Sequence, residues 1–403
     1  MGFASHLTCG LLLLAAVARA QALDHVEVED TDGWEIPDRL TRPPLAEAKP
    51  IAAVDDLMAQ ARPGADGSFY VDRGDGSLKL TIDPKLQQKL TQYLVDYETP
   101  YAAVVAMEPA TGRVLAMAEY SQQRPELRGL CSQALYPAAS IFKIVTAAAL
   151  LSGDVKPETS ACFHGGKRHL TEALLIDSKR DGRCFDLSNA LAFSANVVFA
   201  KFTARYLDAA VLALWANAFR FNRPWNTAVP IGVSKASIPD ERFDLAMTGA
   251  GFGDVYMSPL HGAAMASAVA NGGVWRQPVF FERDVVPKLS ENPADRVLSP
   301  EKASALTEMM ALTVTKGTAR RIFRERGYRV QDAVGKTGSL ADKRPFRDYS
   351  WFIGFAPKEA PQVAVAAVVV NDAKWRIRAT WLGREAMRLG MQGFNRAAKF
   401  PEK

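Results

Sequence analysis

Apolar residues recur along this chain at two alternating periods, and the switches between them predict its elements. Asp83 and Pro84 open a helix as cap and first helical residue. Leu86, Leu90, Tyr93, Leu94 and Tyr97 then form one apolar stripe at helical spacing. Two short apolar runs, Tyr101 to Met107 and Arg113 to Ala118, flank the Pro/Gly turn from Glu108 to Gly112 and predict a β-hairpin. Pro137 to Leu151 is apolar on nearly every side, interrupted mainly by Ser140, Lys143 and Thr146, which predicts a buried helix. Leu187 to Leu214 reads as helical and alanine-rich. Met257 to Asn271 reads as a second buried helix stopped by Gly272 and Gly273, and Ser299-Pro300-Glu301 opens a helix running to about Val314. Three strands follow, at Ala333 to Leu340, Ser350 to Phe355 and Gln362 to Val370, and then a helix at Thr380 to Gly390.

This order sets the fold class. The late strands join the early hairpin in one antiparallel sheet flanked by helices, and the long middle supplies a mostly helical subdomain. The chain is α+β rather than a doubly wound parallel sheet. From Gln21 to about Gly76 periodicity is poor. Pro37, Pro43, Pro44, Pro50 and Pro63, with the turn signals Gly64 to Gly67 and Asp75-Gly76, predict an irregular extension that holds one short helix between Pro50 and Ala61. Before it, Leu11 to Val17 is a short apolar run followed by Ala18-Arg19-Ala20, the small-residue form of a cleavage site. The run is well short of the ~20 apolar residues that span a bilayer. The expected division is a signal peptide at 1–20, an irregular extension at 21–77 and one domain at 78–403. The product is exported, periplasmic or in the cell envelope, and soluble after cleavage; an uncleaved N-terminal anchor is the rival outcome.

Composition narrows the function classes. Over 403 residues, 48% are hydrophobic and 23% charged, which excludes a disordered or low-complexity chain. Lys+Arg of 49 against Asp+Glu of 44 leaves a net charge of +5, too thin a surplus to read as a nucleic-acid stripe. Cys9 leaves with the signal, so Cys131, Cys162 and Cys184 remain, an odd number. Cys162 and Cys184 flank a Gly/Lys/Arg/His-rich segment. An oxidising compartment favours a disulfide between them, which would stabilise the fold by about 3 kcal/mol. His164 and His169 inside the loop keep a zinc site open, although the spacing fits no usual pattern, and free thiols are the third outcome.

Three short motifs carry the chemistry. Ser140 and Lys143 lie three apart, on one face of the predicted buried helix. A lysine in apolar surroundings loses affinity for its proton, and a neutral amine beside a hydroxyl is a general base beside a nucleophile. Ser194 and Asn196 form S-x-N within an apolar stretch, where both polar side chains need partners; a satisfied core pair is the structural alternative. Gly335-Lys336-Thr337-Gly338-Ser339 places a cation, a hydroxyl and an unhindered backbone on a predicted strand, a rail for a carboxylate. An ordinary turn with a surface lysine is the alternative there. S-x-x-K and S-x-N are weak alone, since each recurs by chance about once in a chain of this length. Second copies occur at Ser299 to Lys302 and at Ser290 to Asn292. A helix cap explains the first, and neither has an apolar helical wall behind it.

Taken together, the order S-x-x-K, S-x-N, K-T-G resembles the penicillin-binding transpeptidases of the cell wall, the acyl-serine family shared with serine β-lactamases. LTIDPKLQQKL from Leu80, AAVVAMEPATGRVLAMA from Ala102, YPAASIFKIVTAAALL from Tyr136, MSPLHGAAMASAVANGG from Met257, TVTKGTAR from Thr313 and WFIGFAP from Trp351 extend the likeness from about Leu78 onward. The resemblance implies a β-lactamase/transpeptidase-like fold. It implies that Ser140 is acylated, Lys143 takes its proton and Ser194 relays a proton to the leaving amine. Asn196 binds the acyl-side amide, and Lys336, Thr337 and Gly338 line the carboxylate rail. Ser339 stands where many members have threonine, its N–H completing an oxyanion hole with that of Ser140. The implied function is a D,D-transpeptidase or D,D-carboxypeptidase acting on the D-Ala-D-Ala end of peptidoglycan stem peptides, acylated by β-lactams and working beside cell-wall synthesis proteins. A serine β-lactamase and a β-lactam sensor or non-catalytic wall-binding module are the alternatives. The stretch before Leu78 is short for a glycosyltransferase or a full pedestal domain, so a nearly stand-alone domain is expected. No cofactor, metal or nucleic acid is implied.

Overall fold

The most apolar run of the chain lies at the centre of its main sheet. The computed structural model describes residues 44–49, 51, 56–74, 76–153, 155–166, 169–284 and 295–399. The expected signal peptide lies outside them. All described residues belong to one compact unit, Trp34–Lys403. Two short helices, Pro44–Glu47 and Leu57–Gln60, precede a small antiparallel sheet of β1 (Arg62–Pro63), β2 (Phe69–Arg73) and β3 (Gly76–Lys79). Order therefore begins ahead of Leu78. These strands are two to five residues long and broken by Pro and Gly, too short to show alternation in sequence.

The main sheet takes β4 (Tyr101–Met107), β5 (Val114–Tyr120), β11 (Val334–Lys343), β12 (Phe346–Ala356) and β13 (Val363–Asn371) in the order β11-β12-β13-β4-β5, all antiparallel. Every residue of β13 and β4 is buried, because both faces of the sheet are covered. The period of two divides them. Ala102, Val104, Ala106, Val365, Ala367 and Val369 face one core with Leu86, Leu90 and Leu94 of α1 (Pro84–Asp96) and with Leu382 and Met387 of the C-terminal helix. Ala103, Val105, Ala364, Ala366 and Val368 face the larger core toward the middle of the chain. Fully burying one such Leu or Val is worth about 1.5–3 kcal/mol.

The intervening elements are β6 (Tyr136–Pro137), α2 (Lys143–Ser152), β7 (Ser160–Phe163), β8 (Arg183–Asp186), α3 (Leu187–Ala192), α4 (Asn196–Tyr206), α5 (Ala209–Ala218), β9 (Lys235–Ala236), α6 (Arg242–Gly249), β10 (Val255–Met257), α7 (Pro259–Ala270), α8 (Pro300–Thr315) and the C-terminal helix α9 (Ala379–Lys399). The α7 helix lies flat on the sheet: a Cβ at Gly262 would meet Ala366 Cβ at 3.0 Å and Ile353 Cγ2 at 3.1 Å.

The α+β class and the joining of the late strands to the early hairpin agree with the sequence reading, and several boundaries differ from it: α9 runs on to Lys399 rather than ending at Gly390, and β12 starts at Phe346 rather than Ser350. Pro137 to Leu151 is not one helix. Tyr136 and Pro137 pair with β10, a 3₁₀ turn spans Ala139–Ile141, and α2 starts only at Lys143. Ser140 therefore sits on that turn rather than at the start of a continuous α-helix. Leu187 to Leu214 is three helices, broken at Ser194, whose φ is 55°, and at Asp208, whose carboxylate caps α5. Met257 belongs to β10, and Ser258 with Pro259 starts α7.

Cys162 and Cys184 are directly opposed in the β7–β8 pair and disulfide-bonded, closing a loop of sequence separation 22. His164 turns to Asp181 instead of to sulfur. Cys131 is free and buried. Among the described residues no group of three or more His, Cys, Asp and Glu side chains is placed to hold a metal ion, and no helix is long and apolar enough to cross a membrane.

Candidate active site

The turn bearing Ser140 is built by its neighbours. Ala139 has a φ of 48°, uncommon for a residue with a Cβ, and Ile141 and Phe142 N–H groups bond back to Ala138 and Ala139 carbonyls at 3.0 and 3.1 Å. Gly251, at φ 94°, lies against this turn. A Cβ there would be 2.6 Å from Ala139 O and 3.0 Å from Ser140 N. Only glycine lets the Ala250–Gly251 backbone come this close, and that approach delivers the Ala250 carbonyl to the site.

Lys143 is fully buried one turn after Ser140. Its Nζ lies 2.7 Å from Ser140 Oγ, 2.6 Å from Asn196 Oδ1 and 2.5 Å from Ala250 O. Burial drives its pKa well below the ordinary 10.5, and the charge of Lys336 pushes the same way. The three oxygens fit either protonation state, since an ammonium can donate to all of them. A neutral amine has two N–H donors and one lone pair, and two of its three neighbours are carbonyl oxygens that only accept. In the neutral form both N–H groups go to Asn196 and Ala250, which leaves the lone pair for the Ser140 hydroxyl. With its oxygen turned to Lys143, Asn196 has its NH₂ free to donate elsewhere.

Across the site, β11 is one of the two edge strands of the sheet. Lys336 is fully buried; its Nζ donates to Ser194 Oγ at 3.0 Å and to Thr337 O at 2.7 Å. Burial lowers its pKa to about 7. Ser194 occupies the left-handed turn between α3 and α4, which is tied by Ala195 N–H to Ala190 O at 2.8 Å. A Cβ on Gly338 would meet Ile141 Cγ1 at 3.2 Å, so the missing side chain lets β11 press against the residue after Ser140. Trp351 Nε1 donates to Pro137 O at 2.9 Å and pins β12 to the same turn. Ser339 follows on β11, exposed.

Of the residues singled out from sequence, Ser140, Lys143 and Asn196 thus form one hydrogen-bonded group, and Ser194, Lys336 and Thr337 another. Lys143 and Lys336 are close enough to repel. The disulfide stands apart from this group. Beside the disulfide, buried Lys201 of α4 donates to Cys162 O at 2.7 Å and to Asp181 Oδ2 at 2.7 Å. The competing Ser299 copy is a helix cap, its Oγ accepting Lys302 N–H at 3.3 Å. The Ser290 copy lies outside the described residues. Sequence reasoning missed Lys201, though a lysine inside VVFAKF was a signal. It also missed Gly251 and Thr318, which lies against Thr337.

The sequence model of one family, the penicillin binding protein transpeptidase domain, matches residues 102–383. The chain belongs to that family. Among relatives of this transpeptidase-domain chain is the peptidoglycan D,D-transpeptidase PbpA of Mycobacterium tuberculosis, 28% identical over 395 residues and covering 85% of this chain and 78% of PbpA. Stage V sporulation protein D of Bacillus subtilis is 28% identical over 333 residues, covering 75% and 51% respectively. The solved imipenem acyl-enzyme complex of M. tuberculosis penicillin-binding protein A is 27% identical, with a TM-score of 0.61 over 78% of this chain and 79% of that one. The D,D-transpeptidase domain of an Eggerthella lenta peptidoglycan glycosyltransferase shares the fold, with a TM-score of 0.65 over 84% and 95% at 22% identity.

Proposed function

We propose that this protein is a serine D,D-transpeptidase, with D,D-carboxypeptidase activity, that acts on the D-Ala-D-Ala end of peptidoglycan stem peptides through an acyl-enzyme on Ser140. The observation that carries the reading is the placement of Lys143 Nζ between Ser140 Oγ and two carbonyl acceptors, in a site whose burial drives the amine's pKa well below its ordinary value. The Ser140 hydroxyl gives its proton to the Lys143 lone pair as Oγ attacks the penultimate D-Ala carbonyl. The oxyanion is held by the N–H groups of Ser140 and Ser339. Asn196 donates to the acyl-side amide, and Lys336 with Thr337 receives the terminal carboxylate. The C–N bond breaks as Ser194 passes a proton to the leaving D-Ala amine. An amine of a neighbouring stem then takes the acyl group, or water does, and Ser140 recovers its proton.

The naming of PbpA as a D,D-transpeptidase and the β-lactam adducts of the M. tuberculosis enzyme support this reading. Among the described residues no carboxylate is hydrogen-bonded to Ser140, Lys143, Ser194, Asn196 or Lys336, which favours slow hydrolysis over that of a β-lactamase. The proposed setting is the cell envelope: a cleaved signal at 1–20, an extension at 21–77, and the working domain at 78–403 beside other cell-wall synthesis proteins. The test is a stem-peptide mimic ending in D-Ala-D-Ala, offered with an added D-amino acid. Release of D-Ala with capture of the added amine is expected. Penicillin acylation without any D-Ala release would replace this reading with the sensor.

A further inference from the structure

The loop after α8 is fixed to both halves of the site. Gly317 N–H bonds to Leu312 O at 2.8 Å and Ala319 N–H to Thr313 O at 3.0 Å, while Thr318 N–H reaches Ala192 O, the last carbonyl of α3, at 3.1 Å. A Cβ on Gly317 would lie 2.1 Å from Ala192 O, so glycine is required for this approach. Thr318 is thereby held between the Ser194 turn and β11. Its Oγ1 is 2.5 Å from Thr337 Oγ1 and 3.5 Å from Ala192 O. The shorter contact decides the partner, since 3.5 Å is at the limit of a hydrogen bond. Thr318 is exposed and Thr337 partly so, which leaves the pair open to a ligand.

We propose that Thr318 is a positioning residue of the carboxylate subsite, its hydroxyl donating to Thr337 Oγ1 and so turning the single Thr337 proton toward the substrate carboxylate. The inference rests on the transpeptidase reading and adds to it a residue that none of the three motifs contains. Proton counting carries it. Each hydroxyl has one hydrogen, and a carboxylate only accepts. If Thr337 donated to Thr318, it would present only lone pairs to the carboxylate. The order Thr318 to Thr337 to carboxylate satisfies every group, and each bond in such a chain polarises the next. Lys336 cannot do this turning, because its ammonium meets the backbone oxygen of Thr337 and Ser194 Oγ, not the Thr337 hydroxyl.

The test is the second-order rate of acylation by penicillin G and by its methyl ester, with Thr318→Val, Thr318→Ser, Thr337→Val and the Thr318/Thr337 double valine variant. Thr318→Val should slow acylation by the acid about tenfold, leave the ester unchanged, and keep the rate of the step after binding. Thr318→Ser should restore the rate. Thr337→Val should cost more, and the double variant no more than Thr337→Val alone, because Thr318 acts through Thr337. Equal losses with acid and ester, no loss at all, or a Thr318→Val penalty above that of Thr337→Val would overturn the proposal. The Thr318 backbone bond survives every substitution; should the valine variant fail to fold, Thr318→Ala against Thr318→Ser makes the same comparison. A wild-type chain acylated by neither probe would overturn the transpeptidase reading first, and this inference with it.

Discussion

Lys336 Nζ lies 3.0 Å from Ser194 Oγ, across 142 positions of sequence. This contact joins an edge strand of the sheet to the turn between α3 and α4, the two walls between which a substrate would lie. Both sides are specialised for it. Ser194 accepts a left-handed φ to face the strand, and Lys336 is buried completely to face the serine. Two buried lysines then share one site, and the charge of Lys336 disfavours a charge on Lys143.

The burial of Lys336 makes stability depend on pH in a defined sense. Its pKa is about 7 folded and near 10.5 unfolded. Between these values the unfolded chain binds more protons, so stability rises with pH, by at most about 1.4 kcal/mol per unit. The penalty is complete below about pH 7 and gone above about 10.5. Urea unfolding of wild type and Lys336→Met at pH 7 and pH 10 should show wild type gaining on the variant at the higher pH. A constant difference would mean that Lys336 is not desolvated as described.

In the proposed mechanism Lys143 and Lys336 have opposite requirements, and a pH–rate profile separates them. Acylation needs Lys143 neutral, so the rate falls on the acid side as the amine takes a proton. Capture of a carboxylate needs Lys336 charged, so the second-order rate for penicillin G should fall on the alkaline side near pH 7, and that for its methyl ester should not. Lys143→Ala should lower both by ~10²- to 10⁴-fold. An alkaline limb shared by acid and ester would assign it to another group.

The disulfide should be separable from catalysis. Reducing Cys162–Cys184 should cost about 3 kcal/mol of stability, read from the urea midpoint at constant slope, with acylation by penicillin retained in the folded fraction. Cys131 should resist alkylation in the folded protein, because burial first, and the nearby Glu119 carboxylate second, push its thiol pKa well up. Loss of acylation on reduction alone would show that the β7–β8 hairpin holds the site in shape.

How much of this was legible in the sequence depended on whether the signal was local. Asp83-Pro84 and Ser299-Pro300 marked their helix starts because caps are local chemistry. The strands of the sheet were found from apolar runs, and their joining from fold-class rules. The turn at Ser140 was misread as helix because what breaks it is distant: Tyr136 and Pro137 pair with β10, and Gly251 supports the left-handed Ala139. Ser194 likewise looked like helix interior, since nothing near it announces a positive φ. Thr318 has no chemistry of its own in sequence. It matters only because α8 ends beside α3 and β11.

Intact-protein mass spectrometry during incubation with penicillin G tests the central claim most directly. One penicilloyl group should appear on Ser140 and persist for minutes or longer, on the order of 10³-fold slower to clear than a typical turnover of ~10 s⁻¹. Ser140→Ala should show no adduct. Ser299→Ala should label normally while losing about 1 kcal/mol of stability with its cap. An adduct that survives Ser140→Ala, or a drug hydrolysed within seconds by the wild-type chain, would contradict the account.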